Sequence, residues 1–248
     1  MTYCVGILVR GGLVMIADTR TNAGVDNIAT FRKLVVCEKP GERVIVLATS
    51  GKLSISQAVM SLLSEGLETK DGRRETLMTV PTLFEAAQLV GRAIRKVFAT
   101  DGEALEQQNT SFDVMFLLGG QIGDSRMRLF QVYSAGNFIE ATLDTPYLQI
   151  GEHKYGKPIL DRSISFDVDV LDALKLGLIS MDSTLRSNLS VGLPVDLHVS
   201  RTGALRSAVN FRIEPEEPYF HDLRERWSKA LRDAHLNIPR PPWAVEAP

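Results

Sequence analysis

Apolar positions follow two rhythms along this chain, and the order of those rhythms predicts its architecture. Residues 3 to 9 (YCVGILV) and 13 to 18 (LVMIAD) are short runs, apolar on both faces, joined by Arg10-Gly11-Gly12; they read as a hairpin of strands buried on both sides. Residues 34 to 38 (LVVCE) and 43 to 49 (RVIVLAT) repeat the arrangement around Lys39-Pro40-Gly41-Glu42. After Ser50-Gly51 the period lengthens: Ile55, Val59, Leu62 and Leu63 fall at helical spacing, with Gly66 as a stop. The polar stretch ETKDGRRET predicts a loop. Thr82-x-x-Glu85 then forms a capping box, and Leu83, Ala87, Val90, Ile94 and Val97 recur every three or four residues, which predicts the clearest helix of the chain.

The second half returns to strands at 112 to 120, 126 to 132, 138 to 143 and 147 to 150, followed by a short helix around 154 to 161 and a longer one over 171 to 185. Two last strands, 195 to 200 and 204 to 213, turn at Arg201-Thr202-Gly203. Leu223, Trp227, Ala230, Leu231 and Ala234 draw an amphipathic tail helix before the segment IPRPPW. Helices grouped in pairs between runs of strands predict a layered sandwich rather than a doubly wound parallel sheet. The expected organisation is one domain over 1–213 with a C-terminal helical extension over 214–248.

Composition narrows the function classes. The 248 residues carry 28 basic and 30 acidic side chains, a net charge of −2, so no basic field invites nucleic acid or an anionic membrane. No apolar run approaches the ~18 residues a membrane span needs, and the first residues lack the pattern of an export signal. A cytoplasmic chain is expected. Cys4 and Cys37 are too few for a disulfide framework or a Cys-rich metal site and read as small core residues. His153, His198, His221 and His235 show no metal spacing, so neither a metal nor another cofactor is expected.

GxSxG, GxxxxGK[ST], HExxH and GxGxxG are all missing. What remains is the N-terminus. Removal of Met1 leaves Thr2 with a hydroxyl and a free α-amino group on one residue, and an α-amino group titrates near ~8, so a share of it is neutral at cytosolic pH and accepts the hydroxyl proton. Such a nucleophile needs a cation nearby, an anion to place the cation, and backbone donors for an oxyanion. Lys33, Asp18 and Ser50-Gly51 supply candidates, all at predicted strand ends. A carboxylate in a run as apolar as LVMIAD needs a partner, which Lys33 provides.

The run TYCVGILVRGGLVMIADTRTNAG resembles the start of a mature proteasome β-type subunit, an N-terminal nucleophile hydrolase. FRKLVV is similar to that family's lysine strand, ATSGKLSISQAV to its glycine turn into the first helix, and RSNLSVGLPVDLHV to its Arg-Asp-x-x-Ser-Gly-Gly turn. The resemblance covers about residues 2 to 213. The Thr-Tyr-Cys start and the long C-terminal extension are most similar to the bacterial ancestral β-subunit (Anbu) branch. It implies an α+β fold, a four-layer αββα sandwich. Thr2 is then the nucleophile, Asp18 and Lys33 its charge partners, Gly51 the oxyanion donor, Thr21 a liner of the substrate strand, and Ser190 the serine that supports the amine, with Arg20 and Ser187 as further support.

Two departures alter the set around the amine. Gly151-Glu152-His153 stands where the family has Gly-Ser-Gly, and Ser187 where it has Asp. Glu152 puts a negative charge near Thr2, which raises the amine's pKa and slows chemistry, or else holds a substrate amine. The resemblance implies a homo-oligomeric ring or open ring acting on a peptide or amide substrate, with ATP-grasp and transglutaminase-like operon partners. A threonine-type peptidase or amidohydrolase is the leading reading; a catalytically weak or inactive ring-forming scaffold, and an N-terminal nucleophile amidase for a small peptide-like metabolite, stay open beside it.

Overall fold

The computed structural model describes residues 1–22, 28–69 and 71–243. The Ala23-Gly24 end of the matching N-terminal run and Lys70 of the polar stretch lie outside the described residues. The chain divides into two compact units, Met1–Pro215 and Glu216–Pro248.

The first unit is an αββα sandwich. Its first sheet contains β1 (Tyr3–Val9), β2 (Gly12–Asp18), β12 (Tyr147–Gly151), β13 (Val195–Arg201) and β14 (Ser207–Ile213), in the order β12-β1-β2-β13-β14. Its second contains β5 (Leu34–Lys39), β6 (Arg43–Gly51), β9 (Val114–Ile122), β10 (Arg128–Val132) and β11 (Phe138–Glu140), in the order β11-β10-β9-β6-β5. Neighbours in both sheets run antiparallel. Helices α1 (Leu53–Glu65) and α2 (Leu83–Gln107) cover the second sheet, and α3 (Lys157–Ser163) and α4 (Val170–Ser187) cover the first.

Strand alternation explains why the runs are apolar on both faces. Leu13, Met15 and Ala17 of β2 point between the sheets with Cys4, Val46, Leu117 and Leu129. Ile16 points the other way, onto α4, where a β-carbon on Gly177 would lie 2.7 Å from Ile16 Cδ1. In β6, Ile45 and Leu47 face Ile55, Val59, Val90 and Ile94 of the helix pair. Each internal strand thus serves two cores.

Four expectations shift. Between Asp18 and Lys33 the chain adds a short hairpin, β3 (Arg20–Asn22) with β4 (Ile28–Thr30), from segments of three residues each, too short to register as strands. The polar stretch after α1 is not all loop: β7 (Leu67–Glu68) pairs with β8 (Arg74–Glu75). Helix α2 runs ten residues past Val97, through Gly102 and a mostly polar last stretch. Helix α3 starts at Lys157 instead of near 154, because the Glu152 carboxylate takes the Lys154 N–H in a local turn at 2.8 Å. The second unit holds α5 (Pro218–Leu236), capped by the Glu217 side chain and laced by Asp222–Arg226 and Lys229–Asp233 pairs.

His198 of β13 is fully buried opposite Met15 of β2, and neither ring nitrogen has a hydrogen-bond partner among the described residues. Burial, opposed by Glu38, pushes its imidazole down to about 4. The unfolded chain protonates His198 near ~6.5 while the folded chain resists, so its contribution to stability is intact above that pH and drains away as pH falls through about 4, by up to about 3 kcal/mol. Denaturant unfolding at pH 7 and pH 4.5 checks this: His198→Phe should lose less stability between the two than the parent chain.

Candidate active site

Strand β1 is mounted between two neighbours, with Tyr3 opposite Gly151 of β12 and Cys4 opposite Ala17 of β2. Thr2 therefore emerges beside the end of each. Tyr3 fixes that position from behind. Its fully buried hydroxyl accepts from Gln149 Nε2 at 2.6 Å and lies 2.6 Å from Ser180 Oγ, which donates to the Gly156 carbonyl at 2.9 Å; burial holds the phenol protonated far above its usual range.

Asp18 closes the arrangement from β2. It is fully buried, and its Oδ1 accepts from Tyr3 N–H at 3.0 Å and from Lys33 Nζ at 2.8 Å, while the Gly192 N–H reaches Oδ2 at 3.4 Å. Burial pushes this carboxyl up; the Lys33 ammonium and the two amide donors pull against it. Lys33 sits one residue ahead of β5, not in it, although its carbonyl accepts the Thr49 N–H at 3.1 Å and so continues the pairing with β6. Its ammonium is 5% exposed by residue and also donates to the Arg20 carbonyl at 2.6 Å. A charge pair this deep survives only because each partner has further hydrogen bonds.

Thr2 is 8% exposed and borders a cavity of about 410 Å³. Lys33, Thr21 of β3, and Thr49, Ser50 and Gly51 of β6 share that cavity; Lys52, Asp113 and Met115 extend its wall. Gly51 has φ +98° at the strand-to-helix turn, and a β-carbon there would lie 2.4 Å from the Asp113 carbonyl oxygen. Gly151 has φ +80° and approaches even closer: its β-carbon would fall 2.1 Å from the Thr2 carbonyl oxygen, which accepts the Glu152 N–H at 2.6 Å. A larger groove of about 650 Å³, between β5 and α1, is lined by residues such as Val35, Met60 and Leu77 and contains no charged side chain.

The remaining expected residues divide. Glu152 is 6% exposed, with Oε1 accepting from Lys154 N–H and Oε2 from Asn188 Nδ2 at 3.0 Å. Ser190 is half-buried in the turn after α4, where its N–H donates to Asn188 Oδ1 at 2.9 Å; among the described residues its hydroxyl makes no hydrogen bond to Thr2. Arg20 lies against Gly192 and donates to the Leu189 carbonyl at 2.9 Å, which ties β3 to the same turn. Ser187 is exposed at the last residue of α4, away from the cavity lining. Asn188, one position on, is the buried residue there. Sequence reading missed it because an Asn directly after a helical run carries the ordinary signal of a helix end. Among the described residues no group of three His, Cys, Asp or Glu side chains is placed to hold a metal ion.

The chain matches the family model for "Proteasome subunit" over residues 2–197. No curated protein matches it. Among solved structures it is similar to an Anbu (Gly-1) mutant from Hyphomicrobium sp. strain MC1, with TM-score 0.88 and 48% identity over 97% of this chain and 99% of that one. Anbu (ancestral beta-subunit) from Yersinia bercovieri gives TM-score 0.89 and 44% identity over 98% and 100% of the two chains. The structure titled as the helical assembly of the Anbu complex from Pseudomonas aeruginosa gives 0.91 and 44% over 98% and 100%. With the family model spanning most of the chain and Anbu structures matching it end to end, this chain belongs to the proteasome subunit family, in its Anbu branch.

Proposed function

We propose that the chain is an N-terminal threonine hydrolase of amide bonds, in which Thr2 becomes the nucleophile once Met1 is removed. The observation that carries this reading is the buried Asp18–Lys33 pair, which delivers an ammonium to the wall of the cavity that Thr2 borders. The Thr2 α-amine takes the hydroxyl proton, and Thr2 Oγ attacks the amide carbonyl. Lys33 stabilises the negative charge developing on Oγ, and the Gly51 N–H receives the oxyanion. The leaving amine takes the proton, and water then hydrolyses the acyl-enzyme ester by the same route. A peptide or other amide-linked substrate lies extended beside Thr21 of β3, with Thr49 and Met115 shaping the pocket.

Assembly into a homo-oligomeric ring or open ring fits the helical assembly formed by the Pseudomonas aeruginosa relative. No helix among the described residues is long and apolar enough to cross a membrane. A cytoplasmic setting, where Met1 is removed by aminopeptidase action, accords with this reading.

Two experiments test the site. Covalent capture by a threonine-directed electrophile, read by intact mass on protein lacking Met1, should be complete in the parent chain and fall to background in Thr2→Ala; an unlabelled parent chain with a free N-terminus favours the scaffold reading. Lys33→Met leaves Asp18 buried without its cation and should cost about 3–5 kcal/mol in urea unfolding, much of it recovered in the Asp18→Asn, Lys33→Met double variant. Thr2→Ala, by contrast, should leave stability near that of the parent.

A further inference from the structure

Glu152 is a buried carboxylate whose hydrogen-bond partners are neutral. Its side-chain oxygens accept from the Lys154 N–H at 2.8 Å and from Asn188 Nδ2 at 3.0 Å, and among the described residues no cation forms an ion pair with it. An anion at this depth without a cation is a costly arrangement, and chains rarely keep one. Its surroundings belong to the chain's N-terminus. The Glu152 N–H donates to the Thr2 carbonyl at 2.6 Å, and the same Asn188 Nδ2 that holds Oε2 stands 3.9 Å from Met1 Sδ. Asn188 is itself steadied through Oδ1 by the Ser190 N–H at 2.9 Å. Removal of Met1 creates a cation, the Thr2 α-ammonium, on the same residue whose carbonyl the Glu152 N–H holds.

We propose that Glu152, held in place by Asn188, is the counter-ion of the α-ammonium that Thr2 gains when Met1 is removed. The proposal rests on the reading of Thr2 as a freed N-terminus. It gives that reading a regulatory consequence: the ion pair favours the protonated amine, which cannot act as base, so the site is restrained at neutral pH and released as pH rises.

The other charges around Thr2 do not do this job. Lys33 opposes an ammonium, and Asp18 is already matched to Lys33. Lys52 and Asp113 stand on the cavity wall with opposite signs. His153 and Lys154 flank Glu152 on its exposed side, where solvent screens them; Arg20 is committed to the Leu189 carbonyl, and Arg186 on α4 pairs with Asp182. Glu152 is the buried anion of this set left without a cation.

The pair can be measured without relying on catalysis. Protein shown by intact mass to lack Met1 is exposed briefly to acetic anhydride across pH 6 to 10, and acetylation of the Thr2 amine is read from the N-terminal peptide. The parent chain should titrate at least about one pH unit above Glu152→Gln, so that at pH 7 the variant's amine reacts about tenfold faster. Asn188→Ala, which releases the carboxylate, should fall between them. Equal midpoints in parent and Glu152→Gln would overturn the proposal. If the variant does not fold, a parent midpoint at or below about 8, the ordinary range of an α-amine, overturns it as well. A raised midpoint with no electrophile capture at any pH sinks the hydrolase reading alone; capture with equal midpoints sinks the ion pair alone; Met1 retained on the cellular protein sinks both.

Discussion

The Asp18–Lys33 pair is the constraint on which the rest of the site depends. Taking two charges out of water is repaid only when every remaining lone pair and proton finds a partner, and here the partners come from separate parts of the fold. Tyr3 N–H brings the start of β1, the Arg20 carbonyl brings β3, and the Gly192 N–H brings the turn that follows α4. Satisfying one buried charge pair, its carboxylate through Tyr3 and Gly192 and its ammonium through Arg20, therefore draws three segments around Thr2. The same contacts that make the pair tolerable give Thr2 its surroundings.

Rigidity follows from where Thr2 is mounted. A residue this near the end of a chain would ordinarily wander, since termini are the least tethered part of a domain. Here β1 is internal to its sheet, its Tyr3 hydroxyl is locked to Gln149 and Ser180, and the Thr2 carbonyl is held by the Glu152 N–H. The close approach of Gly151 makes that last bond feasible, because no larger residue fits against the Thr2 carbonyl. A functional group supported this way meets the requirement that a site be held by elements whose own geometry is already fixed by packing.

Hydrophobic rhythm carried most of the architecture. Runs apolar on both faces, such as LVMIAD and RVIVLAT, became internal strands serving two cores, and the 3.6-residue period with a capping box became α2. The pattern was silent where pairing depends on tertiary partners. The β3–β4 and β7–β8 ribbons come from segments of two or three residues whose strand conformation is set by hydrogen-bonding to each other, and no alternation announces them. The start of α3 was displaced for a similar reason, since a side chain rather than a propensity sets it.

The sequence by itself determined which groups are available and which must be buried together: a threonine at position 2, a carboxylate at the end of an apolar strand, a lysine ahead of another, and glycines at Gly51 and Gly151. Charge inside an apolar run is a local fact with a long-range consequence, because burial obliges it to find a partner. Only the tertiary structure decided which partner each polar group found. It left Ser187 exposed, put Asn188 against Glu152, and tied Ser190 to Asn188. One residue's difference at the end of a helix rotates a side chain by about 100°. Whether it meets solvent or a buried carboxylate depends on chain packed there from far away in sequence.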